Sequence, residues 1–364
     1  MGVCRYCGAS SPLISKTIGV CLTCLRASPI GLTGHLMEVH EKTREPFGLP
    51  AVPPRNPEGI TCRLCANACQ IAEGGIGYCG IRRVVGGKIA GGTREANVDW
   101  YFDPLPTNCV ADWVCPGGTG TGYPHYAYTR GPEHGYKNLA VFYNGCSFNC
   151  LYCQNWHFRE RFSGGNRVGV AGLAGSVDPQ TACICYFGGD PTPHLVHALA
   201  VSKAAIKETS GRILRICWET NGSMNPGLLA QMIPISLDTG GCIKFDLKAW
   251  SQVLHQALCG VSNSRTLDNF KRIAQYIDKR LEVPLLVAST LLVPGYIDAE
   301  EVHHIASFIR SCNPHIPYTL LGYYPHFFMA DLPRTTRKQA EECRDAARQA
   351  GLTRIRIGNE HLLG

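Results

Sequence analysis

The stretch "NGCSFNCLYCQNW" at residues 144–156 places Cys146, Cys150 and Cys153 close together, with no fourth cysteine nearby. A disulfide uses two thiols, and a closed structural zinc site uses four ligands. Metals that act on substrates keep one position free of protein ligands. The loop therefore predicts a metal site that is open to an outside ligand, and the alternative is a zinc site completed by His157 or a distant residue.

The sequence that follows predicts an α/β fold. Short β-branched runs alternate with amphipathic helical segments, and the predicted strands are 139–144, 183–187, 213–218, 242–247, 283–290 and 318–324. Six β-then-α units require a parallel sheet with right-handed crossovers, as a barrel, a partial barrel or a doubly wound sheet. Ligands bind at the carboxyl ends of the strands in each case. The three-cysteine loop directly follows the first strand, where chemistry is expected.

Two helix starts are marked by side chains. Asp298 with Glu301 predicts a capping box, and Thr336 with Gln339 predicts a second cap for a helix that ends near Gly351.

The composition limits the class of protein. The chain has 364 residues, 45% of them hydrophobic, and a formal net charge of +7. It contains no run of about 18 apolar residues, and its N-terminus lacks a signal-peptide core, so we expect a cytoplasmic protein without a membrane partner. The basic residues are dispersed, which favours an ordinary enzyme surface over one that binds nucleic acid.

Eleven of the 20 cysteines fall into three clusters, which points to metals because a reducing cytosol disfavours disulfides. Cys4, Cys7, Cys21 and Cys24 form two CxxC pairs with the spacing of a zinc ribbon. The second quartet is Cys62, Cys65, Cys69 and Cys79, and its spacing leaves zinc and a second iron-sulfur cluster equally open. The other nine cysteines are mostly expected to be small buried hydrophobes.

The motif "CSFNCLYC" matches the CxxxCxxC signature of the radical SAM superfamily, and "GCSFNCLYCQNW" resembles the pyruvate formate-lyase activating enzymes and AmmeMemoRadiSam-type proteins. The resemblance covers roughly residues 60–360 and includes the second quartet. It implies a partial (β/α)6 TIM-like barrel in which Cys146, Cys150 and Cys153 hold a 4Fe-4S cluster. The open iron would bind S-adenosylmethionine, whose one-electron cleavage yields a 5′-deoxyadenosyl radical that abstracts hydrogen.

The resemblance also implies residues around S-adenosylmethionine. They are Tyr152 beside the adenine; Gly188, Gly189 and Asp190 in place of a GGE motif that contacts the amino group; Glu219 and Asn221 near the ribose and methionine; and Asp246 with Lys248, whose lysine contacts the carboxylate. The residues alone leave plainer roles open. These are a turn at 188–190, a helix cap at 219–221 and a structural ion pair at 246–248.

We expect four regions: a zinc-ribbon-like module at 1–40, a linker at 41–60, an N-terminal extension at 61–137 and the radical SAM barrel at 138–360. Cys109 and Cys115 fall in an apparent insertion, where they would shield the site, relay a radical or simply be buried. The resemblance implies an electron donor such as flavodoxin or ferredoxin and a macromolecular substrate protein with a glycyl radical. Modification of a peptide or RNA is the alternative, and a non-catalytic zinc-binding adaptor is the alternative of a different class.

Overall fold

The computed structural model describes residues 1–162 and 166–364, which form one large sheet, three small hairpins and surrounding helices. Within these residues the strands are β1 Gly2–Val3, β2 Ser10–Ser11, β3 Ile60–Thr61, β4 Gln70–Ile71, β5 Arg83–Val85, β6 Lys88–Ala90, β7 Glu95–Pro104, β8 Lys137–Tyr143, β9 Arg167–Gly169, β10 Thr181–Gly188, β11 Arg215–Thr220, β12 Ile243–Asp246, β13 Leu286–Leu292, β14 Tyr318–Gly322 and β15 Ile355–Gly358. The helices are α1 Leu22–Ala27, α2 Leu32–Arg44, α3 Pro116–Thr119, α4 Val170–Ala174, α5 Leu195–Glu208, α6 Pro226–Thr239, α7 Gln252–Cys259, α8 Ser264–Ala274, α9 Ala299–Cys312 and α10 Arg337–Gln349. Across the described ranges, no helix offers the apolar length that a membrane span requires.

The large sheet has the order β15-β14-β13-β12-β11-β10-β8-β7-β9. From β8 to β15 neighbouring strands are parallel and follow one another in chain order, without the reversal of a doubly wound sheet. The other edge of β8 pairs with antiparallel β7 instead of β15, so the barrel is partial. The predicted partial barrel is confirmed, with one more parallel strand than expected. The strand that was not predicted is β15, which has four residues.

Alternate residues of the strands face opposite sides, as strand geometry requires. Ile184 and Tyr186 of β10 are fully buried in the main core, and the Tyr186 hydroxyl is hydrogen-bonded to Ser202 of α5 at 3.0 Å. Cys183 and Cys185, which alternate with them along the strand, face the barrel interior. The interior of the barrel is therefore lined by a separate set of side chains from those that pack against the helices.

Both predicted helix caps are present. Asp298 accepts the N–H of Glu301 at 2.9 Å, and Thr336 accepts the N–H of Gln339 at 3.1 Å. The capping box is only half formed, because the Glu301 carboxylate instead accepts the N–H of Ser251 at 2.8 Å. Glu301 thus joins α9 to the start of α7.

Residues 105–136, here called the plug segment, run across the open interior of the barrel. The Thr319 hydroxyl of β14 donates to the carbonyl of Val110 at 2.8 Å, and the Thr121 hydroxyl donates to the carbonyl of Glu282 at 2.7 Å. Arg215 of β11 forms a fully buried ion pair with Glu133. The apparent insertion in the sequence is therefore an internal wall of the barrel.

The N-terminal region packs on the barrel. The predicted linker at 41–60 begins inside α2, which continues through Arg44, and a 3-10 turn follows at Glu45–Phe47. Arg44 is buried, donates to the carbonyl of Pro50 at 2.6 Å and stacks on Tyr78. The first part of the predicted linker is thus ordered structure, while the domain boundaries themselves stay a prediction.

The plug segment generates a stability prediction. Glu133→Ala leaves the buried Arg215 guanidinium without its counter-charge, and removing one partner of a buried pair costs about 3–5 kcal/mol. The matched control is Glu342→Ala, which breaks an exposed pair with Lys338 and should cost at most about 0.5 kcal/mol. Urea unfolding measures both, and equal free energies of unfolding for the two variants would contradict the role assigned to Glu133.

Candidate active site

The three-cysteine loop is fixed by main-chain hydrogen bonds to the end of α7. The N–H of Asn149 donates to the carbonyl of Cys259 at 2.8 Å, and the N–H of Leu151 donates to that of Leu258 at 2.9 Å. These carbonyls lie in the last turn of a helix, where they have no partner within the helix. The loop and α7 thus satisfy each other's polar groups.

A second anchor is the buried side chain of Asn149. Its oxygen accepts from Arg159 at 2.6 Å, and its amide contacts His40 at 2.8 Å and Thr43 at 3.0 Å. Burial lowers the pKa of His40 to about 4, so the ring is neutral and accepts this hydrogen bond. Residues of α2 therefore support the loop from outside the barrel, which no sequence motif indicated.

A fourth thiol, that of Cys259, lies next to the loop. Its sulfur shares a hydrogen bond with Cys150 at 3.6 Å, and this bond is the main cause that lowers the pKa of Cys150 to about 7. Burial raises the pKa of Cys259 well above its ordinary value, so Cys259 keeps its proton. Since the thiolate is the form that binds metals, this pair prepares Cys150 as a ligand.

The two glycines at the end of β10, Gly188 and Gly189, permit close backbone contact with the cysteine loop. Gly188 has φ +113°, and a Cβ on Gly189 would lie 2.3 Å from the carbonyl oxygen of Gly145. The N–H of Gly189 donates to Tyr143 at 2.9 Å, and that of Asp190 donates to Gly145 at 2.8 Å. The two glycines therefore serve backbone packing beside the loop.

The Asp190 carboxylate has several donors from the chain itself. One oxygen accepts the N–H of Thr192 at 2.8 Å, and the other accepts the Thr220 hydroxyl at 3.0 Å and the N–H of Asn221 at 2.7 Å. Burial raises the pKa of Asp190 although these donors oppose it. In the structure the Asp190 carboxylate thus joins β10 to β11, while its contact with the amino group of S-adenosylmethionine, implied by the resemblance, stays a prediction.

The polar residues at the end of β11 have two different partners, the cysteine loop and β12. Asn221 reaches the cysteine loop, with its amide 2.9 Å from the Ser147 hydroxyl and 3.7 Å from the Cys146 sulfur. Glu219 pairs with Lys244 of β12 at 2.9 Å, an ion pair that the sequence reading did not anticipate. Asn221 is therefore the residue of this stretch that contacts the loop.

Asp246 and Lys248 form an ion pair at 3.0 Å, and Asp246 also accepts from Ser289 at 2.7 Å. Burial opposes the charge on Lys248, but the Asp246 carboxylate outweighs it and raises the pKa of Lys248 well above the ordinary value. The ammonium consequently stays charged beside the cysteine loop.

Two aromatic residues of the loop differ in exposure. Tyr152 is buried, with its hydroxyl 3.7 Å from the Cys259 sulfur, and it lines a cavity at the carboxyl ends of the parallel strands. The ring of His157 instead stacks on Trp156 at 4.0 Å. In the part of the chain that the structure describes, His157 joins no cluster of converging ligand atoms, so the alternative of a zinc site completed by His157 gains no support.

A cavity of about 440 Å³ opens at the carboxyl ends of the parallel strands, within the size range of small-molecule sites. Its lining includes the three-cysteine loop and all residues predicted to surround the cluster and S-adenosylmethionine: Cys146, Cys150, Tyr152, Cys153, Gly188, Gly189, Asp190, Glu219, Asn221, Asp246 and Lys248. The three thiols thus face a space shared with the half-buried Lys248 ammonium and with the carboxylates of Asp190, Glu219 and Asp246. This donor set fits an iron-sulfur cluster together with an amino-acid ligand.

The first quartet is a compact metal-binding group. The sulfurs of Cys4, Cys7, Cys21 and Cys24 all lie within 4.8 Å of one another, close enough for tetrahedral coordination of one ion. Burial would raise the pKa of Cys4, but hydrogen bonds from the backbone of Cys21, Cys7 and Tyr6 lower it to about 6. The module is held to α9 by Arg26, which donates to Asp298 at 2.8 Å.

The second quartet lies directly behind the three-cysteine loop. Its four cysteines line one small cavity, and the amide of neighbouring Asn67 donates to the carbonyl of Ser147 at 2.7 Å. Within residues 1–162 and 166–364, these sulfurs do not converge within the 4.8 Å seen in the first quartet. The four sulfurs therefore surround a small cavity and do not converge on the position of a single ion.

Gly189 generates a prediction about the loop. Gly189→Ala forces the Gly145 carbonyl and the adjacent cysteine away, and overpacking of this kind costs about 1–3 kcal/mol. We expect weaker iron binding after anaerobic reconstitution and a lower free energy of unfolding. Gly131→Ala is the control, because its Cβ would meet no atom within 4 Å. Wild-type iron content and stability in Gly189→Ala would show that the close contact is unimportant.

Comparison with known proteins agrees with this geometry. Residues 140–309 match the model of the Radical SAM superfamily. The isethionate sulfite-lyase activating enzyme of Desulfovibrio desulfuricans is 27% identical over 240 residues, which cover 63% of this chain and 72% of that protein. The pyruvate formate-lyase 1-activating enzyme of Escherichia coli K12 is 28% identical over 190 residues, or 50% of this chain and 73% of that protein.

Among solved structures, a domain of a pyruvate-formate lyase-activating enzyme from Bacteroides vulgatus superposes with a TM-score of 0.38 and 20% identity, over 48% of this chain and 98% of that one. The family match over residues 140–309 and the named relatives make this chain similar to the radical SAM proteins, and among them to the pyruvate formate-lyase activating enzymes.

Proposed function

We propose that this chain cleaves S-adenosylmethionine reductively, with Cys146, Cys150 and Cys153 holding the 4Fe-4S cluster. The observation that carries the proposal is the opening of all three cysteines into the cavity at the carboxyl ends of the parallel strands. When bound, the reduced cluster supplies the electron that breaks the sulfonium and yields a 5′-deoxyadenosyl radical for hydrogen abstraction.

The chain's own residues have defined tasks in this proposal. Cys259 favours the thiolate of Cys150. Asn221 places its amide beside the Cys146 sulfur, and hydrogen bonds to ligand sulfurs tune the reduction potential of a cluster. Lys248 carries the charge that attracts the carboxylate of S-adenosylmethionine, and the ion pair with Asp246 orients the Lys248 side chain. Asp190 holds the loops in position, while Glu219, the two glycines and Tyr152 line the cavity.

The direct test is cleavage of S-adenosylmethionine. Anaerobically reconstituted protein, reduced with dithionite, should form 5′-deoxyadenosine, and Cys150→Ala should reduce the product to background because one ligand of the cluster is gone. Cys343→Ala is the control, since Cys343 is buried in α10 away from the cavity. Undiminished cleavage by Cys150→Ala would overturn the three-cysteine assignment.

We further propose that the hydrogen donor is a glycyl-radical protein and that flavodoxin or ferredoxin supplies the electron. The support is that two relatives are activating enzymes, one of isethionate sulfite-lyase and one of pyruvate formate-lyase. A peptide or RNA substrate would use the same barrel. Appearance of a glycyl radical signal in a candidate partner, only when this chain and S-adenosylmethionine are present, distinguishes the first substrate from the others.

For the first quartet we propose zinc, because four converging thiols suit a closed tetrahedral site. For the second quartet we propose an iron-sulfur cluster instead of zinc. Its four thiols surround a cavity without converging as a single ion requires, and a cluster spreads its ligands over several metal atoms. These assignments oppose the adaptor hypothesis, in which all three groups bind zinc.

Zinc content tests the first assignment. Cys7→Ser should remove about one zinc per chain, because a structural site needs all four ligands. Cys7 is exposed, so the change leaves the core intact, and Cys312→Ser outside the three clusters is the control. Equal zinc in the wild type and Cys7→Ser, measured by plasma mass spectrometry, would refute it.

A further inference from the structure

Six of the nine cysteines outside the three clusters meet inside the barrel. They line one cavity beneath the candidate active site: Cys109, Cys115, Cys183, Cys185, Cys217 and Cys242. The first two come from the plug segment, and the other four come from β10, β11 and the residue before β12. The sequence analysis expected most of these cysteines to be small buried hydrophobes. Because their side chains share one cavity, a role beyond filling the core is indicated.

The strand cysteines are brought together by sheet register. Cys185 of β10 lies opposite Cys217 of β11, and both face the barrel interior. The pairing of Glu219 with Lys244 places Cys242, two residues earlier, opposite Cys217 in the same way. Neighbouring strands lie about 4.8 Å apart, so three thiols form a row across three strands. The plug segment adds thiols from the facing side.

A buried cation accompanies these thiols. The Lys244 ammonium lies 3.1 Å from the Cys185 sulfur and 3.3 Å from that of Cys109, and its only carboxylate partner within the described residues is Glu219 at 2.9 Å. Burial raises the pKa of the Cys109 and Cys185 thiols, and the charge of Lys244 opposes this rise. A buried ammonium that donates to sulfur favours thiolates, which are the metal-binding form.

The distances between the sulfurs of these six cysteines do not suit the binding of a single metal ion. In the described part of the chain, no three of these sulfurs lie within 4.8 Å of one another, unlike the first quartet. Ligands of a multinuclear cluster are spread around several metal atoms, so a row of thiols on one wall and two thiols on the other provide a suitable enclosure.

We propose that the barrel interior binds an iron-sulfur cluster through thiolates of this six-cysteine cavity, with Lys244 donating hydrogen bonds to the ligand sulfurs. The cavity shares Cys109, Phe187 and Glu219 with the candidate active site, so this centre lies one layer of side chains below it. The proposal concerns binding alone and does not depend on cleavage of S-adenosylmethionine.

The test starts from the full chain carrying Cys146→Ala, Cys150→Ala and Cys153→Ala, which removes the active-site cluster from the measurement. This parent is compared with the same chain carrying Cys185→Ala and Cys217→Ala in addition. The control adds Cys312→Ala and Cys343→Ala, which lie outside both cavities. Iron, acid-labile sulfide and zinc per chain are measured after anaerobic reconstitution, and circular dichroism confirms folding.

We expect the interior pair to lose about two or more iron and sulfide per chain relative to the parent, because the smallest cluster has two irons, while the control loses none. If the interior pair fails to fold, Cys109→Ala in the plug segment replaces it and should show the same loss. Unchanged iron and sulfide in the folded variant, or loss of zinc instead of iron, would overturn the proposal.

Discussion

The arrangement of the site depends on one buried carboxylate, that of Asp190. It accepts hydrogen bonds from Thr192, Thr220 and Asn221, while its own N–H binds Gly145 at the start of the cysteine loop. The ends of β8, β10 and β11 are thereby joined at one point. Because hydrogen bonds to a charged group are worth about 1.5–3 kcal/mol each, this junction stabilises a loop that has no regular structure of its own. It also brings Asn221 to the sulfur of Cys146.

The three cysteine clusters differ in how completely the chain surrounds them. Cys4, Cys7, Cys21 and Cys24 converge on a point, as a closed single-ion site requires. The second quartet encloses a small space behind the cysteine loop. Only the three-cysteine loop opens into a large cavity that also contains an ammonium and carboxylates. The thiols of the two quartets are thus enclosed by the chain, whereas those of the three-cysteine loop are accessible from the cavity at the strand ends.

Much of this was predictable from the sequence. The alternation of strands and helices predicted the parallel barrel. The residues predicted around S-adenosylmethionine lie at the carboxyl ends of strands or in the cysteine loop, so parallel topology placed them together. Short-range signals such as the Asp298 and Thr336 caps were also reliable, because a cap depends on neighbours within three residues.

The unpredicted features all depend on contacts between distant segments. Cys259 meets Cys150 although 109 positions separate them, and the buried pair of Arg215 with Glu133 spans 82 positions. Neither pair carries a local motif. The six interior cysteines appeared scattered because strand register, which is invisible in a single sequence, aligns Cys185 with Cys217. The hydrogen bonds of Asp190 to Thr220 and Asn221, about 30 positions away, could likewise be seen only in three dimensions.

The most direct measurement of the central claim is electron–nuclear double resonance of the reduced protein with labelled S-adenosylmethionine. If the three-cysteine loop leaves one iron for this ligand, the cluster signal will show couplings to ¹⁵N in the amino group and ¹⁷O in the carboxylate. A cluster signal that is identical with and without the labelled ligand would contradict the open site.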